Sequence, residues 1–252
     1  MAPAPVKKEP LSYDERHYRR VERSGLVSSI VKMAETDLHI LAPAPVEDLA
    51  LQLLSESRKK IERYISEHPL FATSLVPLAA DDTAPSIVQQ MLFAARQAGV
   101  GPMAAVAGVI AEAVGQGLQD QGIAELIVEN GGDLYVARQQ ECTVAIYAGE
   151  SSLSGKLGVA LAPAQMPCGV CCSSATIGHS LSLGKADAVM VIAGSTPLAD
   201  AAATRLANEV GHDSQSINRA LESAATIEGV VGVVIISGDQ LGAWGQVELV
   251  KL

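Results

Sequence analysis

At 252 residues the chain is long enough to build one large core, and its formal charge of −10 excludes a general phosphate-backbone or anionic-membrane binder, which needs clustered Lys and Arg. The acidity is local: residues 71–252 hold seventeen Asp and Glu against seven Lys and Arg, while residues 1–70 hold eleven of each. Only two Phe and one Trp occur among 48% apolar residues, so the interior must be Ala, Val, Leu and Ile packed closely, as in sheets covered by Ala-rich helices.

Residues 1–12 (MAPAPVKKEPLS) have neither a long apolar stretch nor a small-residue cleavage site, and read as a disordered tail rather than a signal peptide. Residues 13–70 read as an N-terminal strand and helix appendage to a single domain whose core is 71–252. Within it, residues 16–41 carry β-branched runs broken at Ser24-Gly25, which predicts a two-stranded hairpin. Residues 46–67 place Val46, Leu49, Leu53, Ile61 and Ile65 near helical spacing with acids at the start, and Pro69 closes that helix. The polar, proline-bearing stretch 74–86 predicts a loop and a joint between appendage and core.

Two apolar helices are predicted next, at 85–98 and 102–119, each opened by a proline where a missing N–H costs nothing. The second is rich in Ala and Gly, which admit a neighbouring backbone closely, and is expected to be the central buried helix. Strands follow at 124–129, 134–138, 142–148, 156–162 and 187–193, then helices at 198–210 and 215–226, then strands at 230–237 and 243–251. Helices and hairpins interleave without strict βαβ alternation, so the expected class is α+β with largely antiparallel sheet. No apolar run reaches the ~20 residues needed to cross a bilayer. The expected compartment is the cytosol, where Cys142, Cys168, Cys171 and Cys172 would be reduced thiols and form no disulfide framework.

Three constellations could carry chemistry. Asp200 and Thr204, four apart on a predicted helix, present oxygens one turn apart, a workable pair of hard ligands for Mg²⁺; the plain alternative is a helix-start acid complementing its own dipole. Asn130-Gly131-Gly132-Asp133 is a tight hairpin turn, and its paired glycines also allow a ligand to approach the backbone. The segment 167–180 (PCGVCCSSATIGHS) gathers three Cys, three Ser, a Thr and His179. It reads as a zinc site of Cys168, Cys171, Cys172 and His179, a CxxC redox pair, a ligand loop with Cys171 or Cys172 as nucleophile and His179 as base, or an ordinary loop with inert thiols. A phosphate loop at 149–157 is excluded, because five residues separate Gly149 from Gly155 and Leu157 stands where a Ser or Thr is needed.

Taken in order, GVGPMAAVAGVIAE (99–112), VENGGDLYV (128–136), GVCCSSATIGHSLSLGKADAV (169–189) and LADAAATRLAN (198–208) resemble the ApbE superfamily of Mg²⁺-dependent FAD:protein FMN transferases. The likeness is closest to its small cytoplasmic branch of uncharacterised members. The resemblance implies a T-fold-like α+β arrangement with Mg²⁺ and FAD or FMN as cofactors. It implies Asp200 and Thr204 as metal ligands, aided by a backbone carbonyl near Ala105. A flavin pocket lined by Met103, Ala105, Asn130, Gly131, Gly132, Asp133, Ser173, Ser174 and Thr176 follows from it, with His179 near the histidine that assists the phosphoryl step. The cation would bridge the pyrophosphate to an acidic protein. Residues 101–107 lack the Lys and Asp of the transferase pattern, and its His-Ile-Ile-Asp-Pro segment is missing. Competing expectations are a cysteine-dependent persulfide protein of sulfur-amino-acid biosynthesis, and a non-catalytic homodimer joined through helix 102–119. The expected partners are a flavin nucleotide, a protein acceptor and a second copy of the chain, with no nucleic acid and no membrane.

Overall fold

The computed structural model describes residues 25–173, 184–211 and 214–252; the tail expected at 1–12 lies outside the described residues. In chain order the elements are β1 (Val27–Met33), β2 (Thr36–Ala42), α1 (Glu47–Glu67), α2 (Leu70–Thr73), α3 (Ser86–Ala98), a 3₁₀ turn (Pro102–Ala105) and α4 (Val106–Asp120). These are followed by β3 (Leu126–Asn130), β4 (Asp133–Ala137), β5 (Cys142–Ala145), β6 (Leu157–Leu161), a 3₁₀ turn (Pro163–Gln165), β7 (Cys168–Ser173) and β8 (Ala188–Ala193). The chain closes with α5 (Thr196–Glu209), α6 (Ser214–Ala224), β9 (Val230–Ser237), β10 (Gln240–Gly245) and β11 (Glu248–Lys251).

The class is α+β, with every described strand pair antiparallel. Eight strands form one sheet in the order β1-β2-β3-β4-β7-β8-β9-β10, and β11-β6-β5 form a second. The large sheet is therefore a run of neighbours in sequence, interrupted once where β5 and β6 leave it. Alternation sorts its side chains to two faces. Leu38, Ile40, Leu126, Val128, Tyr135, Cys171, Val189 and Val191 pack with the helices, while Val136, Cys168, Val170, Met190 and Ile192 pack with Val144, Val159 and Leu161 of the small sheet. Three layers enclose two cores.

The expected turn at Ser24-Gly25 falls at the edge of the described residues, with Ser24 outside them, whereas the described hairpin turns at Ala34 and Glu35. Ala34 takes the positive φ there, at 49°. The hairpin is part of the large sheet, and α1 packs on α4 and β1, so residues 27–67 share one core with the rest of the chain instead of hanging from it. On α1 the inward face is Ala50, Leu54, Ser57, Ile61 and Tyr64, with Leu49, Leu53 and Ile65 at its margin. The stretch expected as one strand at 243–251 divides at Gly245, φ 81°, which sends β11 to the other sheet. Helix α4 is central as expected, but it is enclosed by α1, α5, β3 and β4, so it has no broad face left for a second copy. Among the described residues no single helix is long and apolar enough to cross a membrane.

Candidate functional site

The largest departure from the sequence reading falls on the thiol segment. Cys168–Ser173 is not a loop but β7, a central strand paired with β4 and β8. Alternation along it sends Cys171 to the helix side and Cys168 and Cys172 to the small-sheet side. Residues three apart on a strand are about 10 Å apart, beyond the ~7 Å that a disulfide tolerates, so Cys168 and Cys171 cannot act as a dithiol pair. The same split removes the four-ligand zinc reading. All four cysteines are free. Ser174, Thr176 and His179 lie outside the described residues.

Four backbone segments converge on the helix side of the large sheet. The first is the β3–β4 tip, where Asn130 opposes Asp133 and Gly131 and Gly132 take φ of 70° and 107°, the positive values this tight turn requires. Asn130 continues the inward face of Leu126 and Val128, and Asp133 begins that of Tyr135. The second is the C-terminal half of β7, with Cys171 fully buried and Ser173 buried behind it. The third is the start of α4, preceded by half-buried Met103 and buried Ala105. The fourth is the start of α5, bearing Thr196, Asp200 and Thr204, the last two half-buried.

Hydrogen bonds tie these segments together. Asp200 Oδ2 accepts the Gly108 N–H at 2.8 Å, and Asn130 Nδ2 donates to the Ala107 carbonyl at 3.1 Å. Cys171 Sγ lies 3.5 Å from the Thr196 carbonyl and within hydrogen-bonding reach of the Asp133 carboxyl. Glu129 Oε1 accepts the Gly132 N–H at 2.8 Å, which holds the hairpin tip. Asp200 is the fifth residue of α5, so it does not complement its own helix start; it serves the start of α4. The structure thus brings Asn130, Asp133, Cys171 and Asp200 into one neighbourhood, with Thr204 one turn beyond Asp200.

Electrostatics mark the same place. Burial pushes the Asp133 carboxyl up to about 7, helped by the Glu129 charge and opposed by hydrogen bonds from Cys171 and the Cys172 N–H. Asp200 is raised well above its ordinary value by burial and then by the Asp133 charge, against the Gly108 and Ala107 N–H groups. Among the described residues, no Lys or Arg is among the groups acting on either acid. Burial, then Asp133 and Asp200, raise the Cys171 thiol well above the usual range, and burial pushes Cys168 and Cys172 up to about 12. A nucleophilic or persulfide-bearing cysteine needs a reachable thiolate, and Cys171 is enclosed and protonated here.

The donors suit a hard cation. Among the described residues no three His, Cys, Asp or Glu side chains group as a metal set, which disfavours a zinc-like cage. Mg²⁺ accepts one or two protein carboxylates and takes its other oxygens from water and phosphate, so a carboxylate pair with a neighbouring hydroxyl fits it.

Two residues at the site escaped the sequence reading. Glu112, buried on α4, accepts the Thr196 N–H at 2.6 Å, and Thr196 Oγ1 is buried with no hydrogen-bond partner among the described residues. The available signal was that Glu112 is the single charged residue between Arg96 and Asp120.

A family model described as AbpE bacteria matches residues 19–234. A UPF0280 protein of Methanocaldococcus jannaschii is 42% identical over 207 residues, covering 80% of this chain and 84% of that one. A UPF0280 protein of Methanosarcina acetivorans is 36% identical over 226 residues, covering 90% and 87%. In solved structures, the flavin transferase ApbE of Vibrio cholerae aligns with a TM-score of 0.51 at 14% identity, over 86% of this chain and 96% of that one. The apo form of the Pseudomonas stutzeri flavinyl transferase ApbE aligns at 0.56 and 14%, over 87% and 94%. At that identity the likeness is one of fold.

Proposed function

Because the chain belongs to the ApbE-like family, we propose that it binds a flavin dinucleotide in a Mg²⁺-dependent way, with Asp200 and Thr204 as metal ligands beside Asp133. The observation that carries this reading is the Asp133 and Asp200 pair, two carboxyls raised by burial, with the Asp133 charge raising Asp200 further, in a part of the fold where no described Lys or Arg acts on them. Such a pair is costly in isolation and is relieved by a divalent cation. Bound there, Mg²⁺ would supply the positive charge that a pyrophosphate needs against an acidic protein.

The chain's own residues have separate tasks in this reading. Asp200 keeps one oxygen on the α4 start, which fixes the carboxylate's orientation, and would leave its remaining lone pairs for the ion. Asn130 anchors the hairpin tip to Ala107, and Gly131 and Gly132 put no side chain in a ligand's way, while Glu129 holds the Gly132 N–H. Transfer of FMN to a protein is the finer form of the proposal. Residues 101–107 lack the transferase Lys and Asp, so binding is expected to be stronger than transfer. The test is a titration of FAD by flavin fluorescence with Mg²⁺ and with a chelator, followed by assay of AMP release in the presence of candidate acceptor proteins. Mg²⁺-dependent binding supports the proposal, and affinity that ignores the chelator overturns the metal assignment.

A further inference from the structure

We propose that Glu112 is a positioning residue of the site: it and Asp200 form a reciprocal clamp in which each of two helices caps the other's N-terminus. Glu112 on α4 accepts the Thr196 N–H, the first residue of α5, at 2.6 Å. Asp200 on α5 accepts the Gly108 N–H at 2.8 Å and also bonds the Ala107 N–H, both in the first turn of α4. The leading N–H groups of a helix lack intrahelical acceptors and carry its positive end, so a carboxylate satisfies them with both a hydrogen bond and a favourable charge. Here neither helix supplies its own, and no side-chain cap is present at either start.

The fit around the clamp leaves little slack. A Cβ on Gly108 would lie 2.6 Å from the Thr196 carbonyl oxygen and 2.9 Å from Asp200 Cβ, and one on Gly169 of β7 would collide with Thr196 Cα. Thr196 is therefore wedged between α4 and β7, with its N–H held by Glu112. Asp200 lies four residues on along the same helix, so its aim at the ion depends on where α5 begins. Gln116 Nε2 donates to Glu112 Oε1 at 3.2 Å and steadies the carboxylate from its own helix. The inference deepens the reading of Asp200 as a metal ligand and rests on it for its consequence, though the clamp itself stands on the hydrogen bonds alone.

The experiment compares wild type with Glu112→Gln and Glu112→Ala in two measurements, amide hydrogen exchange and Mn²⁺ binding by electron paramagnetic resonance. Glu112→Gln keeps the shape and an acceptor oxygen but loses the charge, so it serves where Glu112→Ala does not fold. The expected result is faster exchange at Thr196, Ala107 and Gly108 together, unchanged exchange in β8 and β9, and Mn²⁺ affinity weakened about 10- to 100-fold, the usual consequence of losing a group that orients a ligand. Faster exchange at Thr196 alone, with Ala107, Gly108 and Mn²⁺ affinity unchanged, would overturn the coupling. If wild type binds no Mn²⁺, the metal reading fails by itself, while the exchange at Ala107 and Gly108 still decides the clamp.

Discussion

Burial holds the Asp133 carboxyl at about 7, against 3.8 for an ordinary aspartate, and this fixes the sign of a pH effect in the metal-free protein. Between those values the folded state retains a proton that the unfolded chain has released, so the Asp133 contribution is fully present below about 4 and is lost as pH rises through about 7. The difference in thermal midpoint between wild type and Asp133→Asn, measured across pH 4 to 8 in chelator, should therefore move against wild type as pH rises; a flat difference would contradict the burial argument. Thiol accessibility gives a second residue-level test. Alkylation of the native protein followed by mass spectrometry should leave Cys171 unmodified until the protein unfolds, and rapid stoichiometric labelling of Cys171 would revive the persulfide reading. At this scale the sequence was readable where spacing fixes placement, as in the Asn130–Asp133 hairpin tip and in Asp200 and Thr204 one turn apart on one helix. It was not readable at Glu112 or Thr196, because their roles arise from two helix starts meeting, which no local pattern records.

Among the elements, α4 and α5 decide the site, and their closeness depends on Gly108. Replacing a helical Gly with Ala ordinarily gains about 1 kcal/mol, but here the new methyl meets a backbone carbonyl that no rotamer change can move. Overpacking of this kind costs about 1–3 kcal/mol, so Gly108→Ala should be destabilised in urea unfolding, and a stabilised variant would show that the helices can part freely. Small residues in the helix expected at 102–119 announced close packing, and α4 (Val106–Asp120) is closely packed. The Cys168–Ser173 strand was missed for a physical reason. Cys and Ser are weak indicators of strand, and the segment's alternation separates two buried faces instead of a polar from an apolar one, so the period-2 signal vanishes. The hairpin turn at Ala34–Glu35 was missed because Ala seldom takes a positive φ, while Ser24-Gly25 offers the commoner turn chemistry.

For the whole molecule, the antiparallel α+β class was legible from interleaved hairpins and helices, whereas the union of β1 and β2 with the main sheet was not, since pairing partners ninety residues apart leave no local trace. Leu38, Ile40 and Ala42 are fully buried in the shared core, so a chain beginning at residue 43 should lose cooperative unfolding by circular dichroism; a midpoint near that of wild type would show that the first hairpin is dispensable. The net charge of −10 poses the central question at this scale, because a protein this acidic repels a pyrophosphate unless helix N-termini, glycine-rich backbone or a cation offsets the charge locally. Asp200 is the residue through which to ask it. Its removal to Ala would leave the α4 N–H groups without an acceptor, at about 1–3 kcal/mol, so Asp200→Asn, which keeps an acceptor oxygen, is the cleaner variant. The most direct measurement is FAD titration of wild type and Asp200→Asn, each with Mg²⁺ and with chelator. The account predicts binding by wild type only with Mg²⁺ and at least tenfold weaker binding by Asp200→Asn under the same conditions, an effect of about 1.4 kcal/mol or more. Equal affinity in both proteins, unaffected by the chelator, would contradict it.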